Sequence, residues 1–351
     1  MKKKLLSVLM AAVMVAGVGG VGAAQVKADD EKILGAGIYS ASDNFNSYIG
    51  KAITNACDGI FKTNIEDGQN DQSTQNNQVD TMLAKGASAV AVSVCDVTSA
   101  PTLIQKCKDA GNVPIIFFNK EITDYDVINS YENAYQVTST GGDYGASIQA
   151  QMVIDYWKEH PEMDKNGDGK LQLVYLMGDP GHTASQPRCD YLKSTIEDAG
   201  IEIDLLAEDT GMWVTATAKE KMDAWVSKYG DEIECCVAGN DAMALGALSA
   251  VEAAGFNTDG EESSKYIPIY GIDALPEILS KIESGEITGS VLQDAKTQGQ
   301  TIVKMAENLT SGKDAVDGIE GVEVEEEAKA VRVPYQAITK DNLDLAKSTY
   351  E

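Results

Sequence analysis

A run of oxygen-bearing side chains near the middle of the chain has the spacing of a calcium-binding loop. Counting from residue 164, oxygen side chains stand at positions one, three, five and nine, and a glycine stands at position six. Calcium takes about six to eight hard oxygen ligands, and the glycine lets the backbone turn sharply around the ion. Position twelve is Tyr175, so the bidentate carboxylate of a calcium site would have to come from another part of the chain. The alternative to a calcium loop is an ordinary polar turn that binds no ion. The side-chain ligands predicted from spacing are Asp164, Asn166, Asp168 and Gln172.

A second set combines aromatic rings with planar polar groups. The C–H faces of a pyranose stack on aromatic rings, and carboxylates, amides and guanidinium groups form strong hydrogen bonds with its hydroxyls. Each member alone has an ordinary structural explanation as a core residue or a helix cap, so the prediction depends on the set. Its members are Tyr39, Asp43, Phe45, Asn119, Lys120, His182, Arg188, Trp213, Asn240 and Asp273.

The first residues have the pattern of an export signal. Three lysines precede an apolar run from Leu5 to Ala24 that ends in small residues, and we predict cleavage after Ala28. A membrane anchor is the alternative, since the run approaches the roughly 20 residues that span a bilayer. Removing residues 1–28 removes four lysines and no acidic residue, so the formal net charge of −27 becomes −31. This charge disfavours nucleic acid and anionic lipid as partners.

Short β-rich runs alternate with segments of helical period along the rest of the chain. Apolar strands separated by helices indicate parallel sheets covered on both faces. The mature chain of about 320 residues is longer than a domain with a single hydrophobic core usually is. We therefore predict two doubly wound α/β lobes, with ligand contacts at the carboxyl ends of the strands. The predicted strands are residues 33–39, 89–94, 113–118, 171–177, 234–238, 267–272 and 331–334; the predicted helices are 45–58, 74–85, 101–110, 143–159, 215–228, 242–254 and 298–309.

Eight stretches resemble the periplasmic galactose/glucose-binding proteins of bacterial methyl-galactoside uptake systems, and the similarity covers essentially all of the mature chain. In chain order they read GQNDQSTQNNQVDTMLAKG, VPIIFFNKE, DKNGDGKLQ, GDPGH, DTGMWVTATAKEKMDAW, NDAMALGA, GIDALPEIL and VRVPYQAITKDNL. The resemblance implies a type I periplasmic binding protein that captures a hexose between two closing lobes. It would deliver the sugar to an ABC importer and would not be an enzyme.

The resemblance also implies roles for single residues. Phe45 and Trp213 would sandwich the sugar ring, with Tyr39 beside them. The polar members of the second set would hold its hydroxyls or support the residues that do. The calcium loop would add the main-chain oxygen of Lys170, and Glu234 would supply the missing bidentate carboxylate. Two residues depart from the family pattern, because an Asp is replaced by Ala184 and an Asn by Gln293. Losing one partner to a buried hydroxyl costs about 1 to 3 kcal/mol, so the preferred hexose is left open.

The lobes are predicted to be discontinuous, with three crossings between them that form a hinge. The first lobe would hold residues 29–138 and 294–329, and the second would hold residues 139–293 and 330–351. The acidic segment from Asp317 to Glu327 is predicted to be a solvated loop. The mature protein is expected to be an exported, soluble monomer in the periplasm or at the outer cell face, with a chemotaxis receptor as a further possible partner.

Two other classes of function remain as alternatives. Asp43 and Asp273 facing one sugar from opposite lobes would resemble the carboxylate pair of a glycoside hydrolase, but no nucleophile elbow or metalloprotease motif accompanies them. A sugar-responsive repressor would need DNA-binding helices before the first strand, where the export signal stands. A receptor for another sugar on the same scaffold is the third possibility.

Overall fold

The computed structural model describes residues 32–350, and the predicted export signal lies outside them. Two α/β lobes are each built around one mostly parallel sheet. In both sheets the first five strands lie in the order 2-1-3-4-5, which is the order of a doubly wound fold with its crevice beside the first strand. The predicted fold class is therefore confirmed.

The first sheet has seven strands in the order β11-β12-β5-β4-β3-β1-β2, and only the β11–β12 pair is antiparallel. Its strands are β1 (Ile33–Ile38), β2 (Lys62–Asp67), β3 (Ala89–Val92), β4 (Ile115–Phe118), β5 (Ala134–Ser139), β11 (Glu323–Glu325) and β12 (Ala330–Val333).

The second sheet has six strands in the order β13-β10-β9-β8-β6-β7, with an antiparallel β10–β13 pair at one edge. Its strands are β6 (Lys170–Met177), β7 (Glu202–Thr210), β8 (Cys235–Ala238), β9 (Ile269–Asp273), β10 (Gly289–Leu292) and β13 (Gln336–Ile338).

Helices cover both faces of each sheet. Those of the first lobe are α1 (Asn44–Ala56), α2 (Gln72–Ala84), α3 (Ala100–Asp109), α4 (Tyr125–Asn129) and α10 (Ala295–Thr310). Those of the second lobe are α5 (Ala146–Glu159), α6 (Ser185–Asp198), α7 (Thr215–Tyr229), α8 (Asp241–Ala253), α9 (Pro276–Glu283) and α11 (Leu343–Tyr350).

The central strands are apolar on both faces because helices pack on both. All four residues of β3 and of β4 are buried, and those of β8 are buried as well. Burial of this kind stabilises the sheet by about 25 cal/mol per Å2 of apolar surface. It also makes each sheet a rigid support for the loops at its carboxyl edge.

The third crossing lies later in the chain than the sequence predicted. Residues 330–333 form β12, which pairs in parallel with β5 from Ala330 opposite Gln136 to Val333 opposite Ser139. Val331 and Val333 are buried in the core of the first lobe. The assignment of residues 330–333 to the second lobe is thus wrong, because their apolar side chains fill the first core. The chain crosses at residues 334–335, and β13 begins the final second-lobe segment.

The acidic segment after α10 is not entirely a loop. Residues 323–325 form the edge strand β11, and Glu325 accepts a hydrogen bond from Arg332 Nε at 2.6 Å. Carboxylates on an edge strand also discourage pairing with another chain. Within residues 32–350, no helix is long and apolar enough to cross a membrane.

Candidate functional site

A cleft between the lobes is lined by ten of the eleven predicted ligand-binding residues. It encloses about 20 Å3 of space in this form and lies at the carboxyl ends of strands from both sheets. A cleft of this volume holds about one water molecule, so the two lobes are closed on each other in this form. The lining residues are Tyr39, Asp43, Phe45, Asn119, His182, Arg188, Trp213, Asn240, Asp273 and Gln293.

The first lobe presents its side chains from the start of α1. Asp43 caps this helix, because one carboxylate oxygen accepts from the amide of Asn46 at 2.8 Å. The other oxygen accepts from the hydroxyl of Tyr39 at 2.6 Å. The Asp43 carboxylate therefore both caps α1 and lines the cleft. Phe45 lines the cleft from the first turn of the same helix.

Lys120 is the predicted ligand-binding residue that does not line the cleft. It is buried, its ammonium donates to the carbonyl of Cys95 at 2.8 Å, and it lies 4.1 Å from the ring centroid of Tyr39. Of the two roles predicted for Lys120, this position matches support of a lining residue and not direct contact. The charge of Lys120 packs against the outer face of an aromatic residue that does line the cleft.

Trp213 is held over two glycines of the second lobe. A methyl group on Gly178 would lie 1.9 Å from the indole ring, and one on Gly239 would lie 3.1 Å from it. Trp213 has a positive φ of 63°, so a constrained loop directs its side chain. The indole Nε1 is buried and has no hydrogen-bond partner among the described residues, which leaves a donor for a bound hydroxyl.

Asn240 lies just after β8, and Asp273 is the last residue of the neighbouring strand β9. The Asn240 side-chain oxygen caps α8 by accepting from the amide of Met243 at 3.0 Å, so its amide nitrogen remains for the cleft. Asp273 has a φ of 119° and is buried. Burial, reinforced by the nearby Asp241, raises the pKa of Asp273 well above its usual value. A buried carboxyl group of this kind is stabilised by donors such as sugar hydroxyls.

The imidazole of His182 bridges the lobes as a neutral group. Its Nδ1 lies 3.1 Å from the amide of Ala184 and accepts that proton, so its Nε2 carries hydrogen and faces the side-chain oxygen of Asn119 at 3.4 Å. Burial lowers the pKa of His182 well below its usual value, and the charges of Lys120 and Arg188 lower it further. Its ring lies edge-on to Trp213.

Arg188 is buried, with its guanidinium between the cleft and the crossings. It donates to the carbonyls of Tyr144 and Gly239 at 3.0 and 2.7 Å, and to the side-chain oxygen of Gln293 at 2.9 Å. The amide oxygen of Gln293 also accepts from the hydroxyl of Tyr335 at 3.1 Å. Gln293 therefore contributes only its amide nitrogen to a ligand in the cleft.

Several residues that shape the site were not predicted from the sequence. Gly178 and Gly239 make room for Trp213, and Tyr144 and Tyr335 contact Arg188. The glycines stand directly after β6 and β8, which was a usable signal. The tyrosines come from distant segments, and no local pattern marks them. Ala184, which stands where the family pattern has an Asp, is buried. Its neighbours Ser185 and Gln186, whose side chains have oxygens that accept hydrogen bonds, do not line this cleft.

The predicted cation loop leads directly into β6, as the sequence indicated. The Asp164 carboxylate accepts from three amides, those of residues 167, 168 and 169, at 2.8 to 3.1 Å. Glu234 lies behind the loop and accepts from the amides of Lys165 and Gln172 at 2.7 and 3.0 Å. Lys170 contributes its amide to the carboxylate of Asp168. The loop is thus compact, with its oxygen atoms turned inward.

Two features of this loop concern its ability to bind a cation. The side-chain oxygen of Gln172 is buried and has no partner among the described residues. Burial raises the pKa of Glu234, and the neighbouring Asp164 carboxylate raises it further. Within residues 32–350, no three His, Cys, Asp or Glu side chains form a metal-binding group by themselves. A cation at this loop would need amide and main-chain oxygens as further ligands, as in loops that bind calcium.

Two lobes with the same sheet order, closed over a cleft that both of them line, are the architecture of a two-lobed ligand-binding protein. In agreement with this, residues 36–314 match the periplasmic binding protein domain family. The chain belongs to that family.

Individual relatives are similar over nearly the whole chain. The chain is 42% identical to the D-galactose/methyl-galactoside binding periplasmic protein of Haemophilus influenzae, over 88% of this chain and 90% of that protein. It is 29% identical to a putative rhizopine-binding protein of Rhizobium meliloti, over 85% and 88% of the two chains. Among solved structures, an ABC transporter solute binding protein from Bacillus halodurans with bound myo-inositol is 28% identical, with a TM-score of 0.74, and covers 91% of this chain and 98% of that one.

Proposed function

We propose that this protein is the sugar-binding component of an ABC importer and that it captures one hexose between its lobes. The observation that carries this proposal is the composition of the cleft. Phe45 of the first lobe and Trp213 of the second both line it, together with carboxylate, amide, imidazole and guanidinium groups. Aromatic faces and planar polar groups are the two chemistries that a pyranose requires.

Capture follows from the division of these groups between the lobes. A sugar that contacts Asp43 and Asn119 on one side and Asn240 and Asp273 on the other binds the closed form more tightly than the open form. Differential affinity of this kind shifts the population toward closure. The importer then recognises a closed, loaded receptor in preference to an empty one.

The ligand is proposed to be D-galactose or D-glucose. Similarity to a protein named for D-galactose and methyl-galactoside supports this choice. Ala184 offers no acceptor to a sugar hydroxyl, and Gln293 offers its amide nitrogen because its oxygen is already used. We therefore expect the ratio of the two affinities to be the property most affected by these two residues.

Calcium is proposed as a structural ion of the second lobe. Asp164, Asn166, Asp168 and Gln172 would hold it with the carbonyl of Lys170, and Glu234 would complete the set. The unpartnered oxygen of Gln172 and the buried carboxylate of Glu234 support this assignment. The ion would neutralise carboxylates that repel one another, and so it would stabilise the loop against the sheet.

Export, the monomeric state and a chemotaxis receptor as a second partner stay predictions. Export rests on residues 1–28 and on relatives that are named as periplasmic. The hydrolase alternative is not favoured, since the family is one of binding proteins. Release of a sugar from a galactoside by the purified protein would revive it.

The test is isothermal titration of the mature protein with D-galactose, D-glucose and myo-inositol. We expect one-to-one binding of at least one hexose and weaker binding of myo-inositol. Each titration is repeated after treatment with a chelator, which separates the sugar site from the cation loop. A folded protein that binds neither hexose would contradict the proposed ligand.

A further inference from the structure

One guanidinium group makes hydrogen bonds to all three segments that join the lobes. The first crossing, between β5 and α5, supplies the carbonyl of Tyr144 to Arg188 Nε at 3.0 Å. The second, between β10 and α10, supplies the side-chain oxygen of Gln293 to Nη2 at 2.9 Å. The third, between β12 and β13, supplies the hydroxyl of Tyr335 to Nη2 at 3.3 Å. Arg188 itself stands on α6 of the second lobe.

These contacts use most of the hydrogen-bonding capacity of the group. A guanidinium has five N–H donors, and a fourth hydrogen bond joins Nη1 to the carbonyl of Gly239 at 2.7 Å. One N–H on Nη1 is left, and Arg188 lines the cleft beside Trp213. The direction of that last donor is therefore set by the crossings.

Tyr335 completes this hydrogen-bond network. Its hydroxyl oxygen accepts from Arg188, and its proton goes to the side-chain oxygen of Gln293 at 3.1 Å. Its ring packs in a small apolar cluster with Ala184 and Ile272, and it covers Gly145 of the first crossing, where an added methyl group would lie 3.1 Å from the ring. Removing the hydroxyl alone would leave this packing in place.

We infer that Tyr335 is a positioning residue that couples the hinge to the sugar site through Arg188 and Gln293. Closure of two lobes is a rotation absorbed by the connecting segments. The three acceptors converge on one guanidinium in this closed form, and the inference requires that rotation of the lobes separates at least one of them from it. Hydrogen bonds to a buried charged group are among the stronger ones in a protein, so they favour the closed form and fix the donor that meets the sugar. The inference about affinity rests on the proposed function.

The test compares wild type, Tyr335→Phe and a control, Tyr191→Phe, whose side chain is exposed on α6. Small-angle X-ray scattering without sugar reports the open and closed populations, and titration with D-galactose and D-glucose reports affinity. For Tyr335→Phe we expect a larger radius of gyration without sugar and a dissociation constant raised about tenfold, through faster dissociation. The control should match wild type in both.

Scattering of Tyr335→Phe that is identical to wild type would overturn the inference. So would an unchanged dissociation constant beside a lowered melting temperature, since that combination indicates a purely structural role. A wild-type protein that binds no hexose would count against the proposed function, while the scattering without sugar would still test the hinge. Gln293→Met removes the side-chain oxygen that accepts from both Arg188 and Tyr335. This variant should also show a larger radius of gyration without sugar.

Discussion

At the scale of single residues, the site depends on the space that a glycine leaves for the ring of Trp213. Trp213 lies over Gly178 so closely that a methyl group there would overlap the indole ring. The sequence motif identified the tryptophan, but the need for the glycine follows only from the packing of two loops. A glycine directly after a strand has this function when a ring approaches the backbone.

Gly178→Ala should therefore weaken hexose binding about as much as Trp213→Ala does. Stacking and lost apolar contact together predict a loss of about tenfold to a hundredfold. Gly181→Ala in the same loop is the matched control, because its nearest neighbour is the carboxylate of Asp179 at 3.4 Å. Calorimetry measures the affinities; equal affinity of Gly178→Ala and wild type would show that the indole does not contact the sugar.

His182 should make the protein less stable in mild acid. Because its pKa in the folded protein lies well below its usual value, the unfolded chain binds a proton below about pH 6.5 while the folded protein does not. The free energy of unfolding should thus fall as pH decreases from about 6.5 toward the folded pKa. His182→Gln should reduce that fall, measured by urea denaturation at several pH values. An identical pH dependence in the variant would mean that the pKa of His182 is the same in the folded and unfolded states, which would contradict the expected shift.

At the scale of elements, every strand predicted from the sequence lies in the interior of a sheet, but the interior strands β5 and β10 and all four edge strands were not predicted. Residues 89–92 and 115–118 are wholly apolar and buried, so composition alone identifies them. The strands at residues 62–67 and 202–210 lie at sheet edges and carry several charged residues. Such strands are specified by pairing with a neighbour, which a local pattern does not reveal.

The cation loop gives a prediction at this same scale. Calcium should raise the melting temperature of the wild-type protein, and Glu234→Gln should lose most of that increase because a bidentate carboxylate is removed. Glu232→Gln, outside the proposed ligand set, is the control. The measurement is thermal unfolding with calcium and with a chelator. Equal melting temperatures of the wild-type protein in both conditions would contradict a structural ion.

At the scale of the whole molecule, contacts outside the cleft also join the lobes. The hydroxyl of Tyr48 on α1 donates to Glu277 on α9 at 3.0 Å. The ring of Tyr48 lies edge-on to Tyr350 on α11, with the centroids 4.8 Å apart, and the Tyr350 hydroxyl donates to the carbonyl of Asp273 at 3.1 Å. The sequence predicted two lobes and a hinge but not these contacts, since they join residues far apart in the chain.

Tyr48→Phe should shift the protein modestly toward the open form. The change removes one interlobe hydrogen bond, worth about 1 kcal/mol, and keeps the contact between the rings. Without sugar, the radius of gyration from X-ray scattering should increase, and saturating hexose should restore the wild-type value. A variant that stays open with saturating hexose would show that the contact is needed for closure itself.

The central claim is that a hexose lies between Phe45 and Trp213 in the closed cleft. A crystal structure of the mature protein grown with D-galactose or D-glucose tests it most directly. We expect one pyranose between the two rings, with its hydroxyls bound by Asp43, Asn240 and Asp273. A sugar bound elsewhere, or a closed cleft that excludes both hexoses, would contradict the claim.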